Sequence, residues 1–166
     1  MPMKNLPTTL FILFSLLTNV CFSQRAEMRK SRVTVDKDEF SGTQTKKLNL
    51  ATSSFKPISE SSIGLIQSEQ GVILYSFLYK NDWLFVESIS IKIDGSIYTL
   101  ESLKERREVE SGSYISEKNW YEPSSELVEA FKSAKEISYR LTGKSYFIDF
   151  EVKSKKLALI EDFFSN

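Results

Sequence analysis

Carboxylates are the chain's main resource for bond-breaking chemistry. Asp149 and Glu151 alternate along one face of a strand, and Asp38 and Glu39 are adjacent near the start of the domain. Two acids about 5 to 9.5 Å apart across a cleft hydrolyse a glycosidic bond, one as acid and the other as base or nucleophile. Neither pair is flanked by aromatic- and glycine-rich loops that build a sugar cleft, and alternation puts Asp149 and Glu151 on the solvent side of their hairpin. Ser53-Ser54-Phe55-Lys56 has the Ser-x-x-Lys spacing of a serine–lysine acylase. That spacing works only where it opens a helix and lays the amine one turn from the hydroxyl. Pro57 follows at once and forces extended backbone, and the partner phrases Ser-Asp-Asn and Lys-Thr-Gly are absent. Asp36 and Asp38 make an Asp-x-Asp fragment of a calcium loop without the rest of it, so no metal is assigned.

Aromatic residues are the other resource. Tyr114, Trp120 and Tyr121 sit among polar residues at the entry to a helix. Exposed, such a group binds a sugar face or a protein partner; turned inward, it closes the end of a sheet. These three are the candidate binding residues.

The first 23 residues set the chain's address. Lys4 supplies a positive start, and the run from Leu10 to Leu17 supplies a short apolar segment. Cys21 and Ser23 put small residues at the −3 and −1 positions of a cleavage site. The run falls short of the roughly 20 residues that span a bilayer. The expectation is a signal peptide over 1–23 and a mature chain starting at Gln24, with no transmembrane span. Lipidation at Cys21 is disfavoured, because Val20 and Thr18 fit poorly before a lipidated cysteine.

Without its leader the chain has neither cysteine nor histidine. That excludes disulfides, thiolate nucleophiles, His-based triads and the common zinc sites. No cofactor is expected. An exported chain without disulfides suits a bacterial periplasm, cell surface or extracellular space. Basic and acidic residues balance at 22 each over the whole sequence, which gives no long-range field for a polyanion, so nucleic acid is excluded as a partner.

These groups must be positioned by strands. Residues 24–32 read as a flexible basic lead-in, and 33–166 as one domain. Val72 to Tyr79 is a short, nearly all-apolar run after Gln70-Gly71 and predicts a central strand covered on both faces. Asn81-Asp82 turns it, and Trp83 to Ile93 is expected to be the next strand. Asp94-Gly95 is a two-residue type I′ signal that sets Ile93 opposite Ser96, Ile91 opposite Tyr98 and Ile89 opposite Leu100. A second hairpin is expected to turn at Gly143-Lys144, with Leu141 opposite Tyr146, Tyr139 opposite Ile148 and Ile137 opposite Phe150. The charged run Lys104 to Glu110 reads as an exposed edge strand or hairpin limb, and Ser111-Gly112-Ser113 as its turn. Serine-rich Ala51 to Ser62, with Pro57, reads as a long loop or bulged connection. Ser124 or Ser125 after Pro123 caps a helix with Leu127, Val128, Phe131 and Ala134 on one stripe. A last helix from about Lys155 to Phe164 has charges that oppose its dipole, so it must be held by docking.

The domain opens Val35-Asp36-Lys37-Asp38-Glu39-Phe40-Ser41-Gly42, followed by Thr43-Gln44-Thr45. This resembles a loose group of small exported bacterial proteins of unknown function that begin with an Asp-x-Phe-(Ser/Thr)-Gly phrase and a threonine-rich strand. The resemblance covers most of 33–166. It implies a β-meander, a helix, a hairpin and a closing helix, and it brings no activity.

The expected architecture is therefore α+β: a mostly antiparallel sheet of about seven to nine short strands with two helices near the C-terminus. The expected role is a non-enzymatic exported module that contacts an envelope protein or glycan. The alternative is a carboxylate-dependent hydrolase acting on envelope polysaccharide.

Overall fold

The computed structural model describes residues 30–37, 42–54, 60–110 and 113–165. The expected signal segment and the expected lead-in through Arg29 lie outside the described residues, as do Asp38, Glu39, Phe40 and Ser41, then Phe55, Lys56 and Pro57, and the expected turn residues Ser111 and Gly112. Among the described residues, ten strands and two α-helices form an α+β arrangement. They are β1 Arg32–Lys37, β2 Gln44–Ser54, β3 Glu60–Ser68, β4 Gly71–Lys80, β5 Val86–Ile93, β6 Ser96–Glu101, β7 Lys104–Val109 and β8 Ile115–Tyr121, followed by helix α1 Ser125–Lys132, strands β9 Ile137–Gly143 and β10 Phe147–Val152, and helix α2 Ala158–Phe164. All pairings are antiparallel, in the order β6-β5-β9-β10-β2-β3-β4-β8-β7. Strand β2 has β3 on one edge. Its other edge is shared, with β1 on Gln44 to Asn49 and β10 on Ser53 and Ser54. Between those two partners the edge is laced by side chains: the Ala51 N–H donates to Ser31 Oγ at 3.0 Å, and Lys156 Nζ donates to the Ala51 carbonyl.

The sheet must roll. Strands β5 and β8 stand six places apart in the order, about 29 Å in a flat sheet at the usual spacing. Yet Val86, the first residue of β5, donates its N–H to Glu117 Oε2 of β8 at 2.9 Å. The β6–β7 connection closes the same gap, with Ser102 N–H on the Glu87 carbonyl at 2.8 Å and Leu103 N–H on the Trp120 carbonyl at 2.9 Å.

Glu117 is fully buried. Its Oε1 accepts the N–H of Leu84 at 2.6 Å and of Phe85 at 3.0 Å, and Arg107 Nε stands 3.5 Å from Oε2. Three successive amides thus converge on one carboxylate, a concave arrangement suited to negative charge. Phe85 adopts a φ of 54°, the left-handed turn that aims its neighbours' amides inward. This corrects the expected strand from Trp83: the ladder begins only at Val86, because the preceding amides are committed to Glu117.

The inner face of the roll carries the core. Leu48, Leu50, Ile63, Leu65, Leu74 and Leu78 from β2–β4 meet Ile89, Ile91, Ile137, Tyr139, Leu141 and Phe150 from β5, β9 and β10. Both helices pack into the same cluster through Leu127, Phe131, Ile160 and Phe163. Ser124 caps α1 by accepting the Leu127 N–H at 3.2 Å. Helix α2 follows a 3-10 turn at Ser154–Lys156 and has no side-chain cap, so its two buried side chains hold it, as its charge pattern required. Strand β7 is an edge, with Arg107 on Glu105 and Arg106 on Glu108 along it.

The Asp94-Gly95 hairpin has the expected register, and both turn residues have positive φ. The second hairpin does not. Leu141 faces Ile148, Tyr139 faces Phe150 and Ile137 faces Val152, two residues from the expected register. The shift preserves which side chains point inward, and it sets Arg140 against Asp149, with Nε to Oδ1 at 2.7 Å. Gly143 is not a turn residue. It closes β9 beside Leu84, where an added Cβ would stand 1.9 Å from the Leu84 carbonyl oxygen. The region 51–62 also differs from the expected long loop, since β2 runs through Ser54 and β3 starts at Glu60.

Glu117→Ala strands two buried amides, a third that is part-buried, and the adjacent guanidinium together. A loss of about 3–5 kcal/mol of unfolding free energy is expected in urea titration, with a surface control, Arg140→Ala, leaving the midpoint almost unmoved. The core also sets a pH limit. Burial pushes the hydroxyls of Tyr121 and Tyr139 well above the tyrosine range, only partly offset by bonds to Ser76 for Tyr121, and to Ser61 and Thr52 for Tyr139. The unfolded chain releases these protons near pH 10 while the folded chain keeps them. Their stabilisation is whole below about pH 10 and is lost progressively as pH rises above it, readable as a thermal midpoint that starts to fall near pH 10.

Candidate functional site

Strand alternation gives the sheet a second face. On β6, β5, β9 and β10 that outer face is solvated and mixed, with Lys92, Thr99, Arg140, Asp149 and Glu151 beside the exposed apolar side chains Ile97 and Phe147. On β1, β2, β3, β4, β8 and β7 it differs. Asn49, Ser62, Gly64, Tyr75, Tyr79 and Ser116 are all buried there, although no second layer is formed by the described residues.

Tyr75 accounts for part of this burial. Gly64 is its cross-strand partner, with Asn49 beyond on β2. Because Gly64 has no side chain, the phenol lies down across the sheet. An added Cβ at Gly64 would stand 2.5 Å from the Tyr75 oxygen and 2.1 Å from the Leu48 carbonyl oxygen. The Tyr75 hydroxyl reaches the Leu48 carbonyl and Asn49 Oδ1, each at 3.0 Å. Asn49 Nδ2 in turn donates to the Lys30 carbonyl at 2.8 Å, which ties the entry of β1 to the same point.

A hollow of about 230 Å³ opens beside this phenol, between β1 and β7. Its charged walls, among the described residues, are Arg32, Lys47, Arg106, Lys118 and Glu108, and Glu110 Oε1 accepts the hydroxyl of the lining Ser116 at 2.9 Å. Arg106 holds Glu108 from Nε at 2.7 Å. The ammonium groups of Lys47 and Lys118 each lie 5.4 Å from the Tyr75 ring centre. Phe77 adds an apolar wall, and Ser62 forms part of the lining. Ser62 is 1 % exposed, and its Oγ has no hydrogen-bond partner among the described residues.

The three aromatic candidates are separated. Trp120 is on this outer face, half-buried, with Lys118 Nζ 5.0 Å and Lys104 Nζ 5.7 Å from its ring. Tyr114 stacks on Tyr79 at 5.0 Å between centres and 8° between planes, in the β7–β8 bend. Tyr121 points the opposite way. It is fully buried, its hydroxyl 3.0 Å from Ser76 Oγ, and it offers nothing to a partner. Asp149 and Glu151 are exposed on the outer face of β10 and do not line the hollow; Asp149 is paired with Arg140. Asp36 is exposed at the end of β1. Among the described residues no group of three or more His, Cys, Asp or Glu side chains is placed to hold a metal ion, and no helix is long and apolar enough to cross a membrane.

The residues of the hollow escaped the sequence reading. Tyr75 and Phe77 look like ordinary members of a buried strand, and Ser62 lies in a stretch expected to be a loop. The one available signal was Gly64 in the apolar run Ile63-Gly64-Leu65-Ile66, since a glycine inside a strand marks a close approach. Comparison of the chain with protein-family models, curated proteins and solved structures finds no match.

Tyr75→Phe removes one hydroxyl proton shared between two acceptors at a buried site and is expected to cost about 1 kcal/mol. Gly64→Ala forces Tyr75 off the sheet against unyielding backbone and is expected to cost about 3 kcal/mol. Guanidinium unfolding of the two variants beside the parent checks the ranking.

Proposed function

We propose that this is an exported bacterial protein without enzymatic activity, acting as a contact module in the periplasm, at the cell surface or outside the cell. Its partner is an envelope glycan, engaged through the outer face of β4, β8 and β7. The observation that carries this reading is Trp120, half-buried on that face between two lysine ammonium groups and next to a walled hollow. A flat aromatic surface takes the C–H face of a sugar, and cations beside it select acidic sugars. The β7 edge favours a glycan over strand pairing with a protein, because its Arg–Glu pairs discourage a docking strand. The carboxylate hydrolase has no comparable support: Asp149 and Glu151 face open solvent, and Asp149 is engaged by Arg140.

The test is capture on immobilised envelope polysaccharides by protein expressed from the full-length sequence, with cell fractions assayed in parallel. Binding to an acidic polysaccharide that falls about ten-fold or more in Trp120→Ala is the expected result. Undiminished capture by Trp120→Ala, a cytosolic full-length product, or polysaccharide cleavage abolished by Asp149→Asn would overturn it.

A further inference from the structure

One end of the rolled sheet gathers aromatic side chains. Trp83 and Phe85 lie in the connection from β4 to β5, and Tyr146 and Phe147 where the β9–β10 turn enters β10. Phe85 is 39 % exposed, Tyr146 38 % and Phe147 52 %. Trp83 stacks on Phe85 at 5.7 Å between ring centres, and the Tyr146 hydroxyl donates to the Trp83 carbonyl at 3.0 Å, so the two segments form one rim. At the opposite ends of the same strands the connections are polar, with Glu69-Gln70 before β4 and Asp94-Gly95 after β5.

Phe85 is held in the rim against its backbone preference. Its φ of 54° suits glycine or asparagine and is rare for a bulky side chain. Glu117 imposes it. With the amides of Leu84, Phe85 and Val86 turned onto the carboxylate, the side chains of Leu84 and Val86 are buried and the Phe85 ring is left outside. The clamp itself needs only the backbone, and a smaller residue would serve it. An exposed ring kept on strained backbone is therefore a sign of use beyond the fold.

The surroundings of the rings narrow the partner. Arg107 and Lys144 lie 5.3 and 5.9 Å from the centre of Phe85, Lys80 lies 4.6 Å from that of Tyr146, and Arg140 lies 3.7 Å from that of Phe147. Rings engaged in this way make a poor platform for the C–H face of a sugar. Aromatic rings interleaved with cations suit the boundary between lipid tails and phosphate headgroups, where Trp and Tyr settle and lysine stems lie along them. Both arginines are held by carboxylates, Arg107 by Glu105 and Glu117 and Arg140 by Asp149. Lys80 donates to the Tyr146 hydroxyl. Lys144 is exposed and has no carboxylate partner among the described residues, while Asp82, the exposed acid of the β4–β5 connection, accepts the Trp83 N–H at 2.9 Å. The rim therefore carries little net charge, and its apolar rings are its main resource.

We propose that this rim is a contact for the surface of a phospholipid bilayer, with Trp83, Phe85, Tyr146 and Phe147 among the headgroups and Lys144 against a phosphate. The contact goes beyond the glycan reading and uses another surface: Lys80 and Ile115 pair at the rim end of β4 and β8, whereas Trp120 pairs with Tyr75 towards the other end.

Sedimentation with vesicles tests this on protein expressed from the full-length sequence in a Trp120→Phe background, where Trp83 is the remaining tryptophan. The protein is expected to partition onto vesicles of equal parts phosphatidylcholine and phosphatidylglycerol with a blue-shifted Trp83 emission, and about five-fold more weakly onto phosphatidylcholine alone. Phe85→Asn removes the ring and keeps a residue suited to left-handed backbone. It is expected to weaken partitioning about ten-fold while the thermal midpoint holds, because strain is relieved as ring contacts are lost. Lys144→Gln is expected to weaken binding to the mixed vesicles about five-fold and to leave binding to phosphatidylcholine unchanged. No partitioning, partitioning undiminished in Phe85→Asn, or an unmoved Trp83 emission overturns the contact. Capture on immobilised polysaccharide that Phe85→Asn abolishes, without vesicle binding, gives the rim to the glycan and overturns it as well.

Discussion

The architecture depends on one buried carboxylate. Glu117 sits on β8, near one end of the strand order, and binds the backbone that enters β5, near the other end. An antiparallel sheet twists and coils of its own accord, but twist does not decide where its ends meet. Three amides aimed at one carboxylate do decide it. The full burial of Glu117 makes the arrangement costly to break, because the buried amides of Leu84 and Val86 would be left without an acceptor. The two helices complete what the clamp begins, filling the inner face with Leu127, Phe131, Ile160 and Phe163.

Rolling the sheet also separates its outer surface into two kinds. On β5, β6, β9 and β10 the outward positions are those of any half-solvated sheet. On β1–β4, β7 and β8 an absent side chain at Gly64 lets Tyr75 lie flat, and the flattened ring leaves room beside it. Small residues at Ser62 and Ser116 deepen that room, and long cationic residues from β1, β2, β7 and β8 rim it. The hollow is thus a product of residue size across six strands rather than of a loop.

Much of the fold was legible in the sequence, for identifiable reasons. Asp94-Gly95 fixed its hairpin because both central positions need positive φ, which few other pairs supply. The nearly all-apolar run of β4 announced a central strand, though no second layer among the described residues covers its outer face, and the charges of β7 announced an edge. Gly143 misled because glycine serves two purposes. It resembled a turn residue, whereas its actual constraint is the Leu84 carbonyl against its Cα, which no local pattern encodes. Glu117 was hidden for the same reason, since its partners lie some thirty residues away in sequence. Its one trace is an acid at an inward position between Ile115 and Tyr121. The candidate site was the least legible part. Its walls come from segments near residues 32, 47, 62, 75, 106 and 118, and only the pairing register brings them together. Of the aromatics singled out in advance, Trp120 lies on the outer face by strand parity, and Tyr121, one position on, necessarily lies on the inner one.

Strand β1 gives the hollow a detachable wall. It delivers Arg32 and Thr34, and its sole strand neighbour among the described residues is the first half of β2, whose edge beyond Asn49 is held by Ser31 and Lys156 instead of a ladder. Peeling β1 away would leave the clamp, the roll and nearly all of the interior in place. The shape of the hollow and the zippering of the amino-terminal strand are therefore linked: wherever β1 leaves β2, Arg32 and Thr34 leave the lining with it.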